Sequence, residues 1–249
     1  MDYKLYHGDC LEIMDKLIQE NIKVDAIIAD IPYGKIHNSW DCIIPFDDMW
    51  GKINKIIKHE SNIILFGSQP FTSKLILSNE KMYKYCLIWE KEQGSMPMNA
   101  PYQPIKVHED IILFSNMSST YSKKGTMNYN PQMNTGEPYK SNDRKDGNIK
   151  FHSNISKKGV FNDNNGKRYP RSVLRFKTER GLHPTQKPIT LMEYLIKTYT
   201  NEKELILDFT SGSNSTGIAC QNTNRNYIGI EKDDKYFEIG KNRMDKNKP

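Results

Sequence analysis

The sequence predicts an α/β protein built on a doubly wound, mostly parallel sheet. Short, continuous apolar runs alternate with helix-compatible stretches in the first third of the chain. Runs of this kind suit strands that are buried on both faces of a parallel sheet. The runs occupy residues 24–29, 62–66, 86–89 and 110–114.

A second observation comes from the C-terminal part, where a strand, a glycine-rich loop, a helix and another strand follow one another. The loop 212–217 reads Gly-Ser-Asn-Ser-Thr-Gly, a nucleotide-binding fingerprint with its middle glycine replaced. Glu231 follows Gly212 at about the 20-residue spacing expected of a ribose-binding acid. Too little chain follows to complete a sheet, so the sheet is predicted to be circularly permuted relative to a dehydrogenase.

The composition indicates one α/β domain of 249 residues with an inserted module. The net charge is +6, and a basic excess of the same size lies between residues 115 and 170, which permits a polyanionic partner. The four cysteines are far apart, so neither a metal site nor a disulfide is predicted. Without a signal pattern or a run approaching about 18 apolar residues, we expect a soluble cytoplasmic protein with no membrane contact.

The catalytic hypothesis rests on Asp30-Ile31-Pro32-Tyr33-Gly34, which follows the apolar run 24–29. Open α/β sheets bind ligands at this end of their strands. The pentapeptide resembles the Asp-Pro-Pro-Tyr motif of the DNA amino-methyltransferases. The catalytic loop comes first in the chain, a basic segment second and the glycine-rich loop last, an order that resembles the β class of this family.

The resemblance covers nearly the whole chain. Its further landmarks are His7-Gly8-Asp9-Cys10-Leu11, Trp40-Asp41, Phe66-Gly67-Ser68-Gln69-Pro70-Phe71, Trp89-Glu90-Lys91, His108-Glu109, His183-Pro184-Thr185-Gln186-Lys187-Pro188 and Asn224-Arg225-Asn226. It implies a seven-stranded, circularly permuted, Rossmann-like methyltransferase sheet. Residues 1–114 and 181–249 would form the catalytic and cofactor-binding domain, and 115–180 an inserted target-recognition region.

The implied activity is transfer of a methyl group from S-adenosylmethionine (SAM) to N6 of adenine in double-stranded DNA. The implied catalytic residues are Asp30, Ile31, Pro32 and Tyr33. The amino group of adenine is a poor nucleophile, and in the family picture the Asp30 carboxylate and the carbonyl of residue 31 accept hydrogen bonds from it. Tyr33 offers a flat face to a base taken out of the duplex.

The resemblance also implies a set of SAM-binding residues. These are Asp9, Cys10, Asp30, Lys187, Asp208, Thr210, Gly212, Ser213, Asn214, Thr216, Glu231 and Lys232. Asp9 would bind the adenine amino group of SAM and Glu231 its ribose, with Lys187 and Ser213 or Thr216 near the methionine carboxylate. The alternative for Asp9 is a helix N-cap, because the residues from 11 to 18 are typical of a helix.

Two positions depart from the family pattern. Ile31 replaces the first proline of the catalytic motif, so we expect a looser loop that keeps its backbone carbonyl. Asn214 replaces the second glycine of the glycine-rich segment, and the whole loop 208–217 is named the SAM loop below. Asparagine tolerates left-handed backbone, but its side chain could crowd the cofactor. A catalytically degenerate homologue that binds only DNA or SAM therefore remains an alternative.

The basic segment is expected to contact DNA phosphates. The candidate residues are Lys123, Lys124, Arg144, Lys145, Lys157, Lys158, Lys167 and Arg168. N4-cytosine methylation is another alternative, although that activity more often has serine at position 30. The resemblance is also compatible with a homodimer and with a partner restriction endonuclease.

Overall fold

The computed structural model describes residues 1–34, 42–95, 97–140, 163–179, 181–182 and 186–247. The chain divides into two compact units. Unit 1 comprises Met1–Asn130 and Ser172–Pro249, and unit 2 is Pro131–Arg171. The landmarks Trp40-Asp41 and His183-Pro184-Thr185 lie outside the described residues, as do four candidate DNA-binding residues, Arg144, Lys145, Lys157 and Lys158.

Twelve strands and six α-helices are described. The strands are β1 (Tyr3–His7), β2 (Val24–Ala29), β3 (Ile57–Gly67), β4 (Tyr83–Ser95), β5 (Lys106–Ser115), β6 (Asn134–Thr135), β7 (Tyr139–Lys140), β8 (Asp163–Asn164), β9 (Lys167–Arg168), β10 (Val173–Arg175), β11 (Leu205–Asp208) and β12 (Asn226–Glu231). The helices are α1 (Cys10–Gln19), α2 (Phe46–Ile56), α3 (Phe71–Leu77), α4 (Ile189–Tyr199), α5 (Ser215–Asn222) and α6 (Asp234–Lys246).

Unit 1 is built on one sheet with the strand order β1-β12-β11-β2-β3-β5-β4-β10. Strand β5 is antiparallel to both of its neighbours, and all other neighbours in the sheet are parallel. The predicted fold class is confirmed. The sheet has eight strands rather than seven, because the three-residue strand β10 pairs with β4 at its edge.

The sheet is covered by helices on both faces because successive side chains of a buried strand point to opposite sides. In β2, Ile27 and Ala29 pack into an apolar cluster with α1, α2 and α3. Ala26 and Ile28 pack into a second cluster with α4, α5 and α6. Burial of each large aliphatic side chain stabilises the fold by about 1.5–3 kcal/mol. Among the described helices, each is too short or too polar to cross a membrane.

Unit 2 contains two small antiparallel ladders, β6 with β9 and β7 with β8. Gly166 has a φ of +90°, and a Cβ there would lie 2.5 Å from the carbonyl oxygen of Gly136, so this turn requires glycine. The unit is shorter than the expected insertion 115–180, since 115–130 and β10 belong to unit 1. The assignment of 115–180 to target recognition stays a prediction.

Candidate active site

The two loops of unit 1 that are predicted to bind substrate and cofactor lie side by side because they follow neighbouring parallel strands. Strand β11 pairs with β2, with Ile206 opposite Ala26 and Leu207 opposite Ile27. The loop after Asp208 therefore meets the loop that begins at Asp30. Thr210 joins them, because its hydroxyl donates a 3.1 Å hydrogen bond to the carbonyl of Asp30.

The carboxylate of Asp30 accepts a hydrogen bond at each oxygen. The hydroxyl of Tyr33 donates to Oδ1 at 2.7 Å. The ammonium of Lys187 donates to Oδ2. Burial raises the pKa of Tyr33 well above its usual range, so its hydroxyl keeps the proton that it donates. The catalytic motif is thus held by the hydrogen bond between Asp30 and Tyr33 and by the ammonium of Lys187, which is distant in the sequence.

The charged groups around Asp30 shift one another's pKa values. Burial raises the pKa of Asp30, and the Lys187 ammonium opposes that shift. Burial alone would lower the pKa of Lys187, but the carboxylates of Asp30 and Glu109 outweigh it and raise this pKa. The resemblance pointed Lys187 towards the methionine end of SAM, whereas in the structure its ammonium lies against Asp30.

Ile31 anchors the catalytic loop through apolar contact. Its side chain is 2% exposed and belongs to the core cluster beneath α1, α2 and α3. The departure from proline therefore adds a buried hydrophobic side chain to this loop. Beside it, the ring of Tyr33 lies 5.1 Å from that of Phe71 at an interplanar angle of 38°.

Asp208 organises the start of the SAM loop from a buried position. Its Oδ1 accepts a 3.1 Å hydrogen bond from the backbone N–H of Thr210, and its Oδ2 accepts a 2.5 Å bond from the hydroxyl of Thr216. Burial raises the pKa of Asp208 to about 7, and these hydrogen bonds offset only part of that shift.

The structure accommodates Asn214 at the position where the family pattern has glycine. Its backbone is left-handed, with φ 60° and ψ 38°, which asparagine adopts more readily than other side chains. Its Oδ1 accepts a 2.7 Å hydrogen bond from the hydroxyl of Tyr227, and a Cβ on Gly240 would lie 2.3 Å from its Nδ2. The side chain is buried beneath the loop and does not line the cavity described below, which does not favour the predicted crowding of the cofactor.

The acids near β1 and β12 are pre-oriented by backbone N–H groups. Glu231 accepts hydrogen bonds from the N–H groups of Gly212, Lys232 and Asp233 at 2.7–2.9 Å. Asp9 accepts a 3.0 Å bond from the N–H of Leu11 and caps α1. Its other oxygen lies 3.2 Å from the ammonium of Lys232. The N-cap interpretation of Asp9 is therefore correct, and the same side chain also faces the cavity described next.

All of these loops open onto one cavity of about 680 Å³, a size typical of small-ligand sites. Every predicted catalytic and SAM-binding residue lines it except Asn214. Other residues that line the cavity were not predicted as site residues from the sequence, including Cys42, Ile43, Ile44, Pro45, Gln186, Met192, Phe209, Ser211, Ser215, Asp233 and Tyr236. Within the described ranges, no group of three or more His, Cys, Asp or Glu side chains is placed to hold a metal ion.

A family model described as DNA methylase, of the N6/N4 group, matches residues 24–242. The chain belongs to this DNA methylase family. A type II methyltransferase of Moraxella bovis, M1.MboII, is 25% identical and is covered over 93% of its length, with 94% of this chain. The DNA adenine methyltransferase YhdJ of Escherichia coli K12 is 24% identical, with 97% of this chain and 82% of the relative covered.

The crystal structure of the M1.HpyAVI–SAM complex has a TM-score of 0.66 and 28% identity, with 97% of this methylase and 99% of that chain covered. The methylase uses SAM, and the cavity fits this cofactor. SAM carries a sulfonium cation, ribose hydroxyls and an amino group, and carboxylates of Asp9, Asp30, Asp208 and Glu231 line the cavity. The positive φ of Gly212 lets the backbone turn closely around such a ligand.

The candidate DNA-binding residues within the described ranges lie in both units. Lys123 and Lys124 are exposed in unit 1, and Lys167 is exposed in unit 2. Arg168 is partly exposed, and its guanidinium donates to the carbonyl of Glu137. Contact of these residues with DNA stays a prediction.

Proposed function

We propose that this methylase transfers the methyl group of SAM to N6 of adenine in double-stranded DNA. The observation that carries the proposal is the carboxylate of Asp30 at the cavity end of β2, held by Tyr33 and Lys187. Aspartate at this position favours adenine within the resemblance. The relative YhdJ, which is named a DNA adenine methyltransferase, supports the same base.

Asp30 and the carbonyl of Ile31 would each accept a hydrogen bond from the exocyclic amino group. Two acceptors draw the amino group towards a tetrahedral geometry in which its lone pair becomes nucleophilic. SAM, when bound, supplies the methyl group as the electrophile. The residues of the loop contribute mainly by positioning the amino nitrogen for in-line attack. Tyr33 would stack on the extruded base, and its bond to Asp30 fixes both side chains.

The cofactor would lie along the loops after β1, β11 and β12. Asp9 and the backbone of Cys10 would bind its adenine, and Glu231 would accept bonds from the ribose hydroxyls. Because three backbone N–H groups already orient the Glu231 carboxylate, little freedom would be lost on binding. Ser213 and Thr216 would lie near its methionine end.

Double-stranded DNA is the proposed partner. Lys123, Lys124, Lys167 and Arg168 would neutralise phosphates, together with the four candidates outside the described residues. Since M1.MboII is named a type II methyltransferase, we also propose a cognate restriction endonuclease as a functional partner of this chain.

The test is transfer of labelled methyl from SAM to unmethylated, AT-rich DNA, followed by nucleoside analysis. Label in N6-methyladenine is the expected result. Label in N4-methylcytosine would overturn the choice of base and leave the reaction class intact. Folded protein that binds SAM and DNA but incorporates no label would instead support the degenerate homologue.

A further inference from the structure

Four charged side chains of alternating sign form a chain that ends at the catalytic carboxylate. The ammonium of Lys91 binds Oε1 of Glu109. Oε2 of Glu109 lies 3.4 Å from the ammonium of Lys187, and that ammonium binds Oδ2 of Asp30. Both oxygens of Glu109 therefore face cations, and the carboxylates of Asp30 and Glu109 share one ammonium.

Burial makes this arrangement sensitive to each member. The side chain of Lys187 is 6% exposed, and its ammonium lies 5.0 Å from the centre of the Phe66 ring. The side chains of Glu109 and Lys91 are each 18% exposed. An ammonium in such a place requires carboxylate partners, and removing one partner of a buried pair leaves an uncompensated charge.

We propose that Glu109, held by Lys91, is a positioning residue for the reaction because it determines how closely the Lys187 ammonium sits against the Asp30 carboxylate. The inference rests on the proposed function, in which Asp30 accepts a hydrogen bond from the base. Glu109 is placed to act on Asp30 through the Lys187 ammonium, which contacts both carboxylates.

The four members come from separate elements, which fixes their spacing. Lys91 lies on β4 and Glu109 on β5, opposite Trp89 of β4 in their antiparallel ladder. Lys187 precedes α4, and Asp30 follows β2. Other ionisable groups near Asp30 are Tyr33, which donates to it, and Asp208 at the end of β11. Asp110 follows Glu109 on β5, and its carboxylate accepts a 2.6 Å hydrogen bond from Thr72.

The function of this chain of charges follows from what the reaction needs. Asp30 must stay ionised to accept a hydrogen bond from the amino group, and Lys187 favours the ionised form. If the Lys187 ammonium interacted with Asp30 alone, the Asp30 carboxylate would be a poorer hydrogen-bond acceptor for the base. Lys187 keeps Asp30 ionised, and Glu109, by sharing that ammonium, leaves the Asp30 carboxylate able to accept a hydrogen bond from the base.

The test is that two substitutions should shift the acid limb of the pH profile in opposite directions. Methyl transfer by the full chain is measured as kcat against pH, with labelled SAM and unmethylated DNA. For Glu109→Gln, the acid limb moves to lower pH by roughly half a unit or more, because Asp30 gains the whole ammonium. For Lys187→Met, the acid limb moves to higher pH by about one to three units, because Asp30 loses its cation.

The matched control is Glu90→Gln. Glu90 lies on β4 opposite His108 and binds Arg175, so it carries the same chemical change without contacting Lys187. Its acid limb should match that of the wild type. SAM affinity, measured by calorimetry, should stay within about threefold of the wild type in Glu109→Gln, since the effect belongs to the chemical step.

A second variant, Lys91→Met, keeps the inference testable if Glu109→Gln fails to fold. Without Lys91, Glu109 draws Lys187 more strongly, and the acid limb moves to higher pH. Superimposable pH profiles for Glu109→Gln and Glu90→Gln, or shifts of equal sign for Glu109→Gln and Lys187→Met, would overturn the inference. A wild-type enzyme that transfers no methyl to DNA would instead overturn the proposed function.

Discussion

The catalytic loop and the SAM loop each contain one residue that departs from the family pattern, and the fold accommodates the two differently. Ile31 in the catalytic loop is held by apolar packing in the core. Asn214 in the SAM loop is held by left-handed backbone and by the hydroxyl of Tyr227. Both loops follow parallel strands, so their different surroundings, rather than their position in the fold, explain the difference.

An apolar contact tolerates substitutions that change shape when the side-chain volume is kept, whereas a buried polar contact depends on its hydrogen-bond partner. Hydrophobic exchanges of similar volume usually cost less than about 1.5 kcal/mol. A buried amide that loses a partner costs about 1–3 kcal/mol, and a left-handed backbone adds a cost for most side chains. The SAM loop should therefore be the less tolerant of the two at its unusual position.

The largest expected effect is a loss of methyl transfer that leaves SAM binding intact, which distinguishes the catalytic loop from the SAM loop. Asp30→Ala should lower methyl transfer by at least about a thousandfold, because it removes an acceptor of the reacting amino group. Calorimetry should show SAM affinity within a few-fold of the wild type, because Asp9, Glu231 and the SAM loop would still hold the cofactor. Substantial methyl transfer by this variant would mean that the catalytic loop has been misassigned.

The next effect concerns pH and the SAM loop. Because burial raises the pKa of Asp208 to about 7 in the folded state, its contribution to the free energy of unfolding is greatest in acid. That contribution falls as pH rises from about 4 to 7, by on the order of 4 kcal/mol. Urea denaturation without SAM should show Asp208→Asn gaining stability relative to the wild type across this range. The same exchange at exposed Asp48 is the control, and equal pH profiles for the two variants would contradict the prediction.

Ile31→Ala tests whether apolar packing of this side chain anchors the catalytic loop. It should lower the free energy of unfolding by about 2–5 kcal/mol, because it leaves a cavity in the core. Ile31→Val, as the matched control, should cost about 0.5–1.5 kcal/mol. Thermal or urea denaturation measures both variants. An Ile31→Ala protein as stable as Ile31→Val would show that the loop is not anchored by this side chain.

The smallest effect probes the packing beneath Asn214. A Cβ at residue 240 would lie 2.3 Å from its Nδ2, so Gly240→Ala should destabilise by about 1–3 kcal/mol. This steric cost opposes the gain of about 1 kcal/mol that alanine brings to a helix. In an Asn214→Gly background the same substitution should cost less, and denaturation of the double-mutant cycle measures the coupling. Strict additivity would contradict the contact.

Much of the fold could be predicted because buried strands and the loops that follow them leave strong local signals. The apolar runs at 24–29 and 110–114 lie within strands of the sheet. The loops after Ala29 and Asp208 form one cavity because their strands are neighbours. Strand β10 was missed because three residues carry no readable alternation, and it pairs with a distant segment of β4.

The remaining details depend on contacts between distant residues. Glu109 and Lys91 were noted as parts of short motifs, but the sequence does not reveal that they meet Lys187. The direction of the Asn214 side chain depends on Tyr227 and Gly240, which lie 13 and 26 positions further along the chain. Periodicity reports which face a residue occupies and carries no information about such partners.

The contact of Asn214 with Gly240 also bears on how the SAM loop could have evolved. A lineage could exchange glycine for asparagine in this loop only while residue 240 lacked a Cβ. Once asparagine was established, alanine at 240 would become deleterious, so the order of the two changes would be hard to reverse. Related chains with asparagine at this position should therefore keep glycine at the helix position that matches 240, while chains with glycine in the loop should vary there.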